Sequence, residues 1–222
     1  MYDVFFISYG ESNCEENWQR VLELHNNAQR ISNIDGIDNA HLMCNELTKT
    51  EKFWTIDGDN WLLQKLEIDP TNEKDVDLIQ FNATDPITGE VSSVGGVKLW
   101  RKNSIINSDM SKGDFCKFAT ETSQLIPITF SEHRYNVTPE ETWKHSFRHM
   151  VKCFSGIIIK DVLQQNIDLM EKYKDLDEFR YRGYLDAKKY VEECAGDFNK
   201  INLINDYEWL NIHSNQMQSP LI

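Results

Sequence analysis

Phe53-Trp54-Thr55-Ile56-Asp57-Gly58-Asp59-Asn60 is a short apolar run that stops at two carboxylates with a glycine between them. Its length, its β-prone residues and its polar borders read as a buried strand. Asp57 and Asp59 then stand where that strand leaves a sheet and the chain turns. Open α/β sheets place ligands there, outside the carboxyl ends of their strands. Two hard oxygen donors at such a point suit Mg²⁺ or Mn²⁺, and that cation in turn suits a diphosphate. The plain alternative is a glycine-containing turn between two solvated aspartates.

Outward from this stretch, the first 60 residues alternate strand and helix. Val4–Tyr9 reads as a buried strand, broken by Gly10 and Ser12-Asn13. Ser12 followed by Glu15 has the spacing of a capping box. Trp18, Val21, Leu22 and His25 recur at helical spacing, Ala28–Ile34 reads as a second strand, and Asp35-Gly36 as its turn. Ala40–Leu47 reads as the helix that leads into Phe53–Asp57. This alternation predicts a doubly wound, mainly parallel sheet flanked by helices, a Rossmann-like α/β fold. Further on, Asp77–Asn82 reads as a strand and Asp85–Gly89 as a turn. Val94-Gly95-Gly96-Val97-Lys98-Leu99-Trp100 carries two glycines at the head of a strand. They mark either close backbone approach to another strand or a ligand, or a plain bulge.

From Pro139 the pattern is helical. Trp143, Phe147, Met150, Val151 and Phe154 form an apolar face, while Lys144, Arg148 and Lys152 form a basic ridge four residues apart. That ridge is either a solvated face or a surface that meets phosphates. His145 and His149 have helical metal-ligand spacing but lack the glutamate of a zincin pattern. The remainder, from Asp161, reads as helical packing without chemistry. The expected organisation is an α/β region over 1–155 that carries the carboxylate pair, and a helical extension over 156–222 packed on the same domain.

The 222 residues are 40% hydrophobic, enough for a full core. No apolar run approaches the roughly 20 residues that span a bilayer, and no basic leader opens the chain, so a cytoplasmic setting is expected. Five scattered cysteines with no Cys-x-x-Cys indicate reduced, buried thiols rather than zinc or disulfides. The net charge of −13 denies the chain any general attraction to nucleic acid.

Taken in order, these segments resemble glycosyltransferases of the GT-A fold. More narrowly, the chain is similar to the small GT-A-like proteins of tailed bacteriophages that glycosylate modified pyrimidines in their DNA. The matching residues are the opening strand through Tyr9, Ala40-His41, Phe53–Asn60, Gly95–Trp100, Thr120–Ser123, Tyr135-Asn136, and then Trp143, Phe147, Arg148 and Lys152. The resemblance implies a nucleotide-sugar donor, a UDP-sugar in the first instance, whose diphosphate is held through Mn²⁺ or Mg²⁺ by Asp57 and Asp59. A late histidine would complete the metal shell, His133 first and His145 next. Tyr9, Arg30, His41, Gly95, Gly96, Lys98, Arg148 and Lys152 would serve the donor, although Arg148 and Lys152 have helix packing as an alternative duty.

An inverting transfer needs a general base for the acceptor hydroxyl. Glu121 and Asp114 are the options, with Asp59 the catalytic carboxylate of the metal site; Ala119 stands where the pattern would place an aspartate before the Thr-rich segment. A retaining transfer would not need that base. The implied acceptor is 5-hydroxymethylcytosine in phage DNA, flipped out of the stack. A groove for the DNA would draw on Lys98, Arg101, Lys102 and the Lys144 ridge. Acidity favours the alternative acceptors, a glycan, a protein or a small molecule. A nucleotidyltransferase or a sugar-nucleotide-binding protein is a further reading, but Gly10–Glu16 lacks the Gly-rich basic loop such enzymes use. A non-catalytic protein would tolerate loss of Asp59.

Overall fold

A computed structural model describes residues 2–69, 71, 75–92, 95–105, 115, 119–158 and 163–217. The described residues up to Tyr135 form one compact unit, and those from Asn136 on form a second.

The first unit is a mixed α/β structure. Strands β1 (Asp3–Ser8), β2 (Gln29–Ser32) and β3 (Lys52–Asp57) alternate with helices α1 (Cys14–Leu24) and α2 (Ile37–Leu47). After them come β4 (Asn60–Leu62), β5 (Leu78–Thr84), β6 (Val91–Ser92), β7 (Val97–Arg101) and β8 (Ser123–His133). The sheet order is β2-β1-β3-β7-β5-β8-β4, with β6 paired to β5. β2, β1 and β3 are mutually parallel, β7 runs antiparallel between β3 and β5, and β8 is parallel to β5. Five strands therefore share one direction, and β4, β6 and β7 oppose it. The Rossmann-like α/β expectation holds, with a more mixed sheet than the opening alternation alone implies.

Strand alternation sorts the two faces. Val4, Phe6, Trp54, Ile56, Phe81 and Leu99 face the side where Trp18 and Val21 of α1 pack. Phe5, Phe53 and Trp100 face the other, with Ala40 and Cys44 of α2. Burial pushes the Cys44 thiol up to about 12, so it is an inert core group. Cys14, Cys44, Cys153 and Cys194 are all free thiols, and Cys116 lies outside the described residues.

One local expectation changes, and two strands come without a sequence reading. Ser12 does not cap α1: Asn13 holds the cap position without a side-chain cap, and its amide donates to the Arg134 carbonyl at 2.8 Å. β4 and β8 carry no clear strand signal in the sequence. β8 contains Pro127, and its register with β5 jumps from Phe81↔Ile126 to Asn82↔Thr129, so the proline falls in the irregularity where no ladder donor is needed.

The second unit consists of α3 (Pro139–Phe154), α4 (Leu163–Lys172), α5 (Glu178–Cys194), α6 (Phe198–Asn202) and α7 (Tyr207–Met217). Thr138 caps α3 by accepting the Glu141 amide, with Pro139 in the first turn. The expected boundary at 155 falls inside this unit and is corrected to the Tyr135–Asn136 link. The reason is that α3 buries Trp143, Phe147, Met150 and Val151 with Met170, Tyr173, Tyr184 and Ala187, a core of the unit's own. No described helix is long and apolar enough to cross a membrane.

Gly183 of α5 lets the two central helices touch: a Cβ there would lie 2.7 Å from the Trp143 carbonyl and 3.1 Å from the Phe147 nitrogen. Gly183→Ala is expected to destabilise this unit by roughly 1–3 kcal/mol, since backbone on the facing helix cannot yield as a side-chain tip would. Urea unfolding followed through Trp143 and Trp209 fluorescence measures it.

Candidate active site

Asp57 ends β3, and the turn Gly58-Asp59 hands the chain to β4. β4 pairs antiparallel with the end of β8, so Asn60 lies opposite His133. The Arg134 amide then donates to the Asp59 carbonyl at 2.7 Å, and His133 Nε2 lies 3.0 Å from Asp59 Oδ2. Asp59 Oδ1 accepts from the Asn60 amide at 2.7 Å, and Asn60 Oδ1 accepts from the Ser131 hydroxyl at 2.7 Å. This chain of hydrogen bonds fixes the rotamer of Asp59 from a buried base.

Asp57 has a different partner. Lys98 on β7, opposite Thr55, sends its ammonium to Asp57 Oδ2 at 2.8 Å and is only 4% exposed. Gly96 makes this possible. A Cβ at Gly96 would lie 2.1 Å from Asn60 Nδ2 and 2.9 Å from Asp57 Cβ, and the Gly96 carbonyl accepts the Asp57 amide at 3.0 Å. Gly95 likewise closes on Ala83, with a virtual Cβ at 2.9 Å from its side chain. The glycine pair thus serves close approach within the protein.

The loop after β1 reaches the same edge. Glu11 lies over Gly58, its Oε2 at 2.6 Å from where a Gly58 Cβ would be, and accepts the Tyr9 amide at 2.8 Å. Burial and the neighbouring Asp59 and Asp57 carboxylates hold its carboxyl above the usual range. Asn17 of α1, wholly buried, donates to the Gly58 carbonyl at 2.8 Å and fastens the turn from below.

The sequence candidates therefore divide. Tyr9, Asp57, Asp59, Gly95, Gly96, Lys98 and His133 come together at the carboxyl edge of the parallel strands. Arg30 is committed nearby to Ser8, Cys14 and Glu15. His41 is a core residue: its Nδ1 donates to the Ile37 carbonyl at 2.8 Å, and its ring packs on Trp100 and Phe115. Glu121 is corrected to the opposite edge, because Ser123 pairs with Leu78, which pairs with Trp100, opposite Phe53 at the start of β3. Four strand residues separate that level from Asp57, about 13 Å. Asp114 lies outside the described residues.

The expected basic groove also divides. Lys98 is buried on Asp57, whereas Arg101 pairs with Asp75, and Lys102 donates to the Thr48 carbonyl; both line a cavity of about 610 Å³ at the edge remote from Asp57. Lys144, His145, Arg148 and Lys152 belong to α3 of the second unit, where Lys144 pairs with Glu140 and Arg148 donates to the Ile204 carbonyl at 2.9 Å. Glu11, Asn17, Asn60 and Ser131 were not among the sequence candidates, although Asn60 closes the Phe53–Asn60 stretch and Glu11 lies in the Gly10–Glu16 loop. Asn17 falls one turn before Val21, on the buried face of α1.

Among the described residues, no three His, Cys, Asp or Glu side chains converge as a metal cage. Mg²⁺ or Mn²⁺ delivered with a diphosphate asks for less, one or two carboxylates with phosphate oxygens and water completing the shell. Asp57 and Asp59 fit that demand in kind, two oxygen donors on a rigid strand end.

No family model matches the chain, and no curated protein matches it. Among solved structures it is similar to HddC from Yersinia pseudotuberculosis, at a TM-score of 0.32 and 14% identity, over 59% of this chain and 90% of that one. A likeness at that level carries no functional weight.

His41 gives the first unit an acid limit. Burial, helped by the Lys98 charge, pulls its imidazole down to about 4 in the folded chain. The unfolded chain protonates near 6.5, so stability is intact above that value and falls as pH drops toward about 4, by at most roughly 3 kcal/mol. His25 and His213 are lowered too, with the same sign. His41→Leu is expected to flatten the loss of melting temperature between pH 6.5 and 4.5, read by circular dichroism.

Proposed function

We propose that the chain is a metal-dependent glycosyltransferase of GT-A type that moves a sugar from a nucleotide sugar. The observation that carries this reading is the pair Asp57 and Asp59 at the carboxyl edge of a central strand, each given a fixed partner, Lys98 and His133. Parallel α/β sheets bind nucleotides at that edge.

The chain's own groups divide the work. Asp59, held by Asn60 and next to His133, offers oxygens to the cation that accompanies the diphosphate. When bound, that cation neutralises the charge developing on the leaving nucleoside diphosphate. Lys98, buried against Asp57, fixes the position of that carboxylate. The Gly58 turn, pinned by Asn17, keeps the two carboxylates in register with the strand. Tyr9, 45% exposed directly after β1, presents an aromatic face at the same edge for the nucleotide.

The acceptor rests on the resemblance and is the hydroxymethyl group of 5-hydroxymethylcytosine in DNA. A second reading keeps the donor and takes a glycan or a small molecule, favoured by the net charge of −13 and by the pairing of Lys98, Arg101 and Lys144 with carboxylates.

The test is incubation with Mn²⁺, a panel of nucleotide sugars, and duplex DNA with or without 5-hydroxymethylcytosine, followed by mass spectrometry of the nucleosides. A hexose or pentose adduct confined to the hydroxymethylated DNA is the expected result. Free nucleoside diphosphate without an adduct transfers the reading to another acceptor. If neither product forms, the transferase reading fails.

Asp59→Ala is expected to lower transfer by about a hundredfold or more while leaving the melting temperature within a few degrees, because a preorganised charge aimed at the leaving group is lost. Chelation by EDTA should abolish transfer, and added Mn²⁺ should restore it. Product release assayed by coupled nucleoside diphosphate detection reads both.

A further inference from the structure

The loop between β1 and α1 is where doubly wound folds deliver backbone amides to a phosphate. In this chain it reads Tyr9-Gly10-Glu11, with Gly10 at φ +84°. A residue in that left-handed region turns the amides on either side of it inward, the geometry of an anion-binding nest. The amides of Tyr9 and of Glu11 itself both hydrogen-bond the Glu11 carboxylate, the first at 2.8 Å. The nest is therefore filled by an anion of the chain's own.

The place that carboxylate occupies is specific. It lies against Gly58, between Asp57 and Asp59, where a methyl group on Gly58 would come within 2.6 Å of Glu11 Oε2 and 2.8 Å of its carboxyl carbon. Glycine at 58 thus leaves a cradle over the turn, and Glu11 is in it. Burial of the Glu11 carboxylate near the charges of Asp59 and Asp57 carries a cost that the nest amides offset only in part. A diphosphate brought by a cation to Asp57 and Asp59 must pass over Gly58, and its oxygens need the donors that Glu11 now uses.

We propose that Glu11 is a built-in competitor for the diphosphate: its carboxylate occupies the phosphate subsite of the free protein and swings out when a nucleoside diphosphate with its divalent cation binds, releasing the Tyr9 and Glu11 amides to the ligand. This rests on the nucleotide-sugar reading and adds to it the subsite and its gate. It sets a selectivity as well. A lone phosphate bearing no cation meets three carboxylates and is refused, whereas a cation-bound diphosphate neutralises the carboxylates that oppose it and displaces Glu11.

The experiment is titration calorimetry of the full chain with UDP, the other nucleoside diphosphates and inorganic pyrophosphate, each with and without Mn²⁺, for wild type, Glu11→Gln and Glu11→Ala. If the occupied state makes up about nine-tenths of the free protein, removing the competitor tightens apparent affinity about tenfold. Tighter binding in Glu11→Ala, with Glu11→Gln between it and wild type, is the expected result, and binding should need Mn²⁺ in all three. Unchanged or weaker binding in Glu11→Ala overturns the inference alone, weaker binding making Glu11 a supporting ligand. Absence of Mn²⁺-dependent binding in every protein overturns the nucleotide-sugar reading and this inference with it. A melting temperature for each variant confirms that the comparison is between folded chains.

Discussion

The ion pair between Lys98 and Asp57 governs the geometry of the carboxyl edge. An ammonium that is almost fully buried costs several kcal/mol unless a carboxylate meets it closely, and at 2.8 Å Asp57 does. That demand fixes the pairing of β7 with β3. Lys98 must stand opposite Thr55 so that its side chain, on the same face, reaches Asp57 two residues along. Val97 then falls opposite Ile56, and the Gly96 carbonyl meets the Asp57 amide. Asp57 is thus structural before it is anything else, whereas Asp59 is held by groups that gain little from burying it. Of the two aspartates, Asp59 reports on ligand chemistry more cleanly.

Backbone shape supplies the second half of the site. Gly96 admits the Asn60 amide into space that any Cβ would fill, and Gly58 does the same for Glu11. Both glycines act by absence of a side chain rather than by unusual backbone angles. With Asn60 seated, its two ends bridge Asp59 and Ser131, which ties the turn after β3 to β8. The short β4 ladder completes the tie and carries His133 to within hydrogen-bonding distance of Asp59, although 74 residues separate them in the chain.

What was legible in the sequence follows from this division. Short-range patterns showed the alternating strands and helices through Asp57, because β1 and β3 are buried on both faces and read as continuous apolar runs, while α1 and α2 each bury one face. The carboxylate pair and the glycines were legible as chemistry at a strand end. β4 and β8 were not, since three residues carry no periodicity and Pro127 argues against a strand until the register irregularity is seen. The basic ridge of α3 read as a surface for phosphates only while its neighbours were unknown; Glu140 and the Ile204 carbonyl take up Lys144 and Arg148. Glu121 looked close to the chemistry because strand direction, which sets the edge on which a residue emerges, is not written in local sequence. Glu11, by contrast, was read as an argument against a phosphate loop, and its placement over Gly58 depends on a glycine 47 positions away.

Charge ties these observations to function. An anionic ligand approaching Glu11, Asp57 and Asp59 without a counter-ion meets repulsion in a partly desolvated setting, where screening is weak. Asp57 and Asp59 offer oxygens to a divalent cation, and a diphosphate that shares the cation arrives with much of its charge already neutralised. A chain of net charge −13 is therefore poorly suited to holding bare phosphates along an extended surface, as duplex DNA would require, yet well suited to a donor carried in on metal. Acidity that counts against the acceptor half of the reading counts in favour of the donor half, because one field acts on both ligands and only one of them brings its own cation.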